Sequence, residues 1–165
     1  SPLQRFDRLE PMFNRTGSLS SDLAVDLRQV NRALAAEWLP SIRSQAAVTM
    51  RHARELEQST GAAQWAVQRL RRATLPAHVG TYFYLEGRAL TAEWWEGFHV
   101  IALSRLLQKD PLATIAGDAT LVKRLSSGAI RSANMARYWA NRGKHWKTHY
   151  RRALRYVPIG TPTAT

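Results

Sequence analysis

Glu96-Gly97-Phe98-His99 sets a carboxylate and an imidazole three residues apart. On a helix that is the Glu-x-x-His spacing with which carboxylate-bridged di-iron bundles hold their metals. The chemistry needs a second such motif and a Glu from each of two other helices; the chain has one motif, so His99 is read as a structural histidine. Glu93 and Glu96 share a helix face, as do Asp22 and Asp26, and such pairs usually serve as solvated surface or helix-end charges. A site gathered around Glu93, Glu96 and His99 beneath Trp94, Trp95 and Phe98 is the arrangement through which the chain would act as an enzyme, and an ordered metal there would support it. His145 and His149 have the i, i+4 spacing of a helical metal pair, yet no Asp, Glu or Cys follows Asp118 to complete a local site. Gly143-Lys144 lacks the upstream glycine and the following Ser or Thr of a phosphate loop, and no GxGxxG or GxSxG occurs. With no cysteine, thiolate catalysis, disulfides and cysteine-based zinc sites fall away. The expectation is a non-enzyme without catalytic residues, metal or cofactor.

The charge points to binding. A net charge of +12 and a pI near 11.2 favour polyanionic company. Residues 1–118 carry 14 Lys or Arg and all 12 acids, whereas residues 119–165 carry 10 Lys or Arg and no acid. The candidate contacts to a polyanion or partner are Arg137, Arg142, Lys144, Lys147, Arg151, Arg152 and Arg155, with Trp139, Trp146 and Tyr150 as aromatic contacts interleaved among them. Met135, Trp139, Trp146, Tyr150, Leu154 and Val157 fall on or near one face of the same helix. Such a surface suits nucleic-acid phosphates, anionic lipid head groups or the carboxylates of neighbouring subunits.

The elements that must position these residues read as all-α: a single irregular helical domain or bundle over 1–165, with a charge-balanced body at 1–118 and an acid-free basic helix and tail at 119–165. Leu3, Phe6, Leu9 and Met12 form a short arm that Pro11 and the turn-forming Asn14–Ser18 stretch confine to about two turns. Ser20 or Ser21 caps a helix carrying Leu27, Val30, Leu34 and Trp38. Pro40 kinks it or opens the next, which continues to a break at Ser59-Thr60-Gly61. A helix from Ala62 to about Thr74 ends at Pro76 and returns antiparallel. Thr81–Leu85 has strand-like composition but no partner strand, and reads as a loop or the start of a helix. Thr91 caps a helix with an aromatic face, Asp110-Pro111 caps another, a short helix covers Leu121 and Val122, and a final helix runs from about Ala129 to Val157 with Gly143 as a bend. The longest charge-free run, Ala73–Leu85, is too short to span a membrane.

Together these features predict an accessory structural subunit of a large multi-subunit assembly, a mitochondrial membrane complex such as a respiratory complex or the ATP synthase, docked peripherally against other protein subunits and anionic lipid. Ser1 without a preceding Met fits a chain whose mitochondrial presequence has been removed. The competing expectation is a structural RNA-binding protein of a ribosome or mitoribosome.

Overall fold

A computed structural model describes the chain at residues 2–71, 77–111 and 119–155. Its four long helices are α1 (Pro2–Ala36), α2 (Leu39–Arg71), α3 (Ala77–Lys109) and α4 (Ala119–Arg155), and no strand occurs among the described residues. The all-α expectation holds, and the architecture is a bundle in which α2 packs on α1, α3 on α2 and α4 on α3, with α1 also touching α3 and α4.

Each helix repeats core positions at alternating steps of three and four residues, the spacing that keeps one seam facing its neighbours over a long helix. In α1 the seam is Leu9, Phe13, Thr16, Ser20, Leu23, Leu27 and Val30; in α2 it is Ile42, Ala46, Thr49, Ala53, Leu56, Thr60, Ala63, Val67 and Leu70. In α3 it runs Val79, Phe83, Glu86, Leu90, Glu93, Gly97, Val100, Ser104 and Leu107, all buried. In α4 the residues are small: Ser126, Ala129, Ala133, Ala136, half-buried Ala140 and Gly143.

This periodicity overrides local breakers, and several sequence expectations are corrected by it. α1 passes through Pro11 and Asn14–Ser18 without a turn. Proline inside a helix costs about 3 kcal/mol, but Pro11 is exposed while Leu9, Phe13 and Thr16 are buried on the seam. The expected break at Ser59-Thr60-Gly61 lies inside α2, where Thr60 is buried and its hydroxyl donates to Glu57 O at 2.9 Å. Thr81–Leu85 belongs to α3, and so does Thr91, which caps nothing: its hydroxyl donates to Gly87 O at 3.0 Å. Ser126-Ser127-Gly128 likewise lies within one continuous α4. The turn between α1 and α2 is instead made at Glu37 and Trp38. Glu37 takes a left-handed φ of 54° and donates its N–H to Leu34 O, and Pro40 follows in the first turn of α2, where a missing N–H is harmless. The expected helix end at Thr74–Pro76 and the helix expected to follow directly on Asp110-Pro111 fall outside the described residues.

Gly61 lies on the exposed side of α2, whereas Gly97 sits on the buried seam of α3. A Cβ on Gly61 would meet nothing within 4 Å, whereas one on Gly97 would stand 3.2 Å from the backbone oxygen of Ala53. Gly61→Ala is therefore expected to stabilise the protein by about 0.8–1 kcal/mol through helix propensity alone, read as a higher midpoint in urea with an unchanged slope; a lower midpoint would contradict the open surroundings of this position.

Candidate functional site

The core is divided. One apolar cluster joins Leu23, Leu27, Val30, Ile42, Leu56, Val100, Leu103 and Leu107; a second joins Leu9, Phe13, Val67, Leu70, Val79, Tyr82, Phe83 and Leu90. Between them in sequence, on three helices, lie buried polar side chains: Thr16 and Ser20 of α1, Thr60 of α2, Glu93 and Glu96 of α3. The expectation that Glu93 and Glu96 are solvated surface charges is thus overturned, with exposures of 4% and 2%. The heptad spacing turns both inward.

Each carboxyl has a specific setting. Ser20 Oγ donates to Glu96 Oε1, and Glu93 is hydrogen-bonded to Thr16. Glu86 lies against Gly143, where a Cβ would come within 2.6 Å of its Oε1, so glycine is what lets α4 close over this carboxyl. Burial pushes Glu93 up to about 8, against the Thr16 hydrogen bond and aided by the negative charges of Glu96 and Glu86. Burial likewise raises Glu96 to about 7, opposed by Ser20 and Arg137, and Glu86 to about 7, opposed by Lys147 and Lys144. At pH 7 Glu93 is therefore mostly protonated and Glu86 and Glu96 about half so, which makes the bundle more cationic than its formal charge.

His99 is not part of that layer. Its Nδ1 lies 2.7 Å from Trp95 O, and its ring fills the space over Gly128 of α4, where a Cβ would approach to 2.6 Å. This is the structural histidine the spacing implied. His145 and His149 pack edge to face, and no group of three or more His, Cys, Asp or Glu positioned to hold a metal occurs among the described residues.

α1 and α4 run antiparallel and meet at two clasps. At one, Lys147 and Arg151 pair with Glu10; at the other, Asn31 reaches Ser126 at 3.5 Å. Burial raises the Glu10 carboxyl, but hydrogen bonds and charge from Lys147 and Arg151 outweigh it, so the net direction is down. Between the clasps the small residues Gly17, Ser21, Ala24, Ala133, Ala136 and Ala140 leave the helices apart, and two adjoining cavities of ≈ 410 and ≈ 290 Å³ open there. Glu93 lines both, together with Gly17, Ser21, Arg137 and Ala140; Glu86 and Lys144 line the larger and Arg28 the smaller. Glu93 Oε2 is fully buried and has no hydrogen-bond partner.

The sequence-predicted cations are distributed rather than gathered. Lys147 and Arg151 bind Glu10, Arg137 and Lys144 border the groove, and Arg142 lies over the Tyr138 ring at 5.5 Å and donates to its hydroxyl. Arg152 is exposed beside Lys147 and Arg151. Trp139 is half-buried under Arg88, with 4.7 Å from ring to guanidinium, and Trp146 packs on the second core cluster. The side chains of Tyr150 and Arg155, and those of Leu154 and Val157, lie outside the described residues. The buried face of α4 is the small-residue seam rather than the aromatic one: Met135 is exposed, while Ala129, Ala133 and Ala136 are buried.

Large aromatics remain outside. Tyr84, Trp95 and Phe98 share the outer face of α3 and are 46–49% exposed; Trp38 and Trp65 are more exposed still. Trp94 stacks on Phe98, with Trp95 edge-on to both.

Comparison with family models, curated proteins and solved structures returns no match at the level of sequence or fold.

Proposed function

We propose that the chain is a non-catalytic structural subunit of a large multi-subunit assembly. The observation that carries this reading is the outer surface of α3. That helix is buried along its inner seam, yet also presents Tyr84, Trp95 and Phe98 outward. A helix apolar on both faces is the pattern of one covered on both sides, and aromatic side chains dominate protein interfaces. Beside it, α4 carries ten Lys or Arg and no acid, which suits the carboxylates of a neighbouring subunit. In its narrower form the proposal places the subunit at the periphery of the mitochondrial inner membrane, in a respiratory complex or the ATP synthase, where exposed Trp and cationic side chains would also meet anionic head groups.

Tagged Trp95→Ser/Phe98→Ser and Arg142→Glu/Arg152→Glu variants, expressed in place of the native chain, test it. Both are expected to fold and to lose incorporation into the high-mass fraction; incorporation equal to that of the parent would sink the proposal. Fractionation of the compartments tests the narrower form.

A second reading, structural RNA binding in a ribosome or mitoribosome, has its own observation. Tyr138, Asn141, Arg142, His145 and Trp146 line an open recess of ≈ 470 Å³, an aromatic and basic setting in which a base could stack. It predicts RNA affinity that falls steeply with salt and is lost on Tyr138→Ala/Arg142→Ala.

A further inference from the structure

The outer row of α3 orders its charges as well as its rings. Tyr84, Arg88, Thr91, Trp95, Phe98 and Arg105 are all exposed and follow one another in steps of three and four along one line of the helix, with half-buried Ala102 between the last two. The middle of the row is uncharged and mostly apolar; its ends are cationic. Arg88 stands seven residues before Trp95 and Arg105 seven after Phe98, each about 10 Å along the axis. Lys109 extends the far end by another turn.

No carboxylate interrupts that row. The acids of α3, Glu86, Glu93 and Glu96, are all buried, and α4 has none. On the α2 flank Glu57 lies beside Gly97, level with the aromatic middle and away from the cationic ends. Arg88, Arg105 and Lys109 form no ion pair among the described residues. The middle is rigid as well: Trp94 stacks on Phe98 at 5.7 Å, Trp95 stands edge-on to both, and His99 anchors the group through Trp95 O and its fit over Gly128. Exposed Met135 of α4 adds to the apolar area, since it shares a helix face with Gly128 and Trp139, which lie against His99 and Arg88 of α3.

This pattern selects among occupants. A second copy laid antiparallel, centred between Trp95 and Phe98, would set Arg88 of each chain against Arg105 of the other; laid parallel, it would set Arg88 against Arg88. The row therefore repels itself. A nucleic-acid strand carries a phosphate about every 3.4 Å of axis, whereas the roughly 25 Å of this row between Arg88 and Arg105 hold no cation. Rings that are half-covered and packed sideways on one another do not project far enough to enter a bilayer among its acyl chains. A helix has the right shape for a long, narrow row, and its own side chains can be apolar in the middle and anionic at the ends.

We propose that the outer row of α3 receives an acidic amphipathic helix of a neighbouring protein. Its middle turns are apolar and cover Trp95 and Phe98, and Asp or Glu about two turns to either side pair with Arg88 at one end and with Arg105 and Lys109 at the other. Arg88 is held ready for this by the Trp139 ring, 4.7 Å beneath its guanidinium. The inference rests on the reading of the chain as a subunit of an assembly and names what covers α3 within it.

The test uses the full chain expressed in its own cells in place of the native copy, with the photo-crosslinker p-benzoylphenylalanine replacing Tyr84 or Phe98. After irradiation the chain is separated by size and the crosslinked peptide is sequenced. The expected peptide belongs to another protein, has apolar residues at helical spacing, and carries Asp or Glu about seven residues from the site that Phe98 reaches. Arg88→Glu/Arg105→Glu is expected to lower incorporation into the high-mass fraction at least about tenfold, and Lys placed at the partner's acidic positions restores it. Arg105 has no ion pair or ring contact among the described residues, so Arg105→Glu alone keeps the parent's midpoint in urea and lowers incorporation about threefold. A high-mass chain whose α3 crosslinks reach lipid, RNA, another copy of itself, a segment without those acids or nothing overturns the inference and leaves the assembly reading standing. Incorporation unchanged by the charge reversals does the same. A chain recovered alone overturns both.

Discussion

The melting temperature is expected to be highest near pH 5 and to fall by about 10 °C or more on going to pH 8.5. The cause is the buried Glu86, Glu93 and Glu96, raised by burial to about 7, 8 and 7. In the unfolded chain each titrates near the ordinary glutamate value of about 4.3, so between that pH and the raised values the folded state holds more protons. The stabilisation these protonated groups provide is complete below the unfolded value and is lost as pH rises through the folded one. Each group costs about 1.4 kcal/mol per pH unit across its window, so the loss is several kcal/mol, a large share of the roughly 5–15 kcal/mol that holds an ordinary domain together. It levels off about one pH unit above 8, where Glu93 has finished titrating. On the acid side Glu10 acts in the opposite sense: its carboxyl is lowered by Lys147 and Arg151, so its contribution is present above the ordinary glutamate value and lost below it. Replacing Glu86, Glu93 and Glu96 together by Gln removes the proton linkage, and the profile from pH 5 to 8.5 flattens. A parent protein equally stable at pH 5 and 8.5, or a triple variant with an unchanged slope, would show that these carboxyls are hydrated.

Gly97→Leu should destabilise the bundle by about 3 kcal/mol, at the upper end of what overpacking costs. At this position α2 and α3 approach so closely that even a Cβ comes within 3.2 Å of Ala53 O and 3.8 Å of Glu57 N. Those atoms are backbone and cannot rotate away, so the helices themselves must separate. The neighbouring seam holds Ala53 and Leu56, both fully buried, and Val100, and all three lose contact together. Denaturant unfolding of Gly97→Leu and Gly61→Ala side by side gives the comparison its force, since helix propensity favours both replacements and only the packing differs. If Gly97→Leu proves neutral, α2 and α3 are not this close.

The all-α character and the basic last helix were legible from apolar spacing and charge counts. Helix boundaries were less so, for a physical reason visible in Thr16, Ser20, Thr49, Thr60, Glu86, Glu93, Gly97 and Ser126. These polar or tiny residues occupy seam positions in alternating steps of three and four, so a reading that follows large apolar residues breaks the helices wherever the seam turns polar. Pro11, Ser59-Thr60-Gly61 and Ser126-Ser127-Gly128 then look like ends. Treating small and hydroxyl residues as core-compatible would have recovered the four long helices. The buried polar layer was beyond reach for another reason: it joins Glu93 and Glu96 to Thr16 and Ser20, more than seventy residues away in sequence, and only the packing of α1 on α3 brings them together. The same distance hid the pairing of Lys147 and Arg151 with Glu10, which takes two of the predicted partner-binding cations out of the exposed set.

What remains on the outside is the basis of the functional proposal: Trp95 and Phe98 on α3, Arg142 and Arg152 on α4. The measurement that tests it most directly is gentle isolation of the native protein from its own cells, followed by mass determination and identification of everything that accompanies it. The proposal predicts one high-mass assembly of defined protein composition that survives nuclease treatment. Recovery as a free monomer, or in a particle that falls apart when RNA is digested, would contradict it.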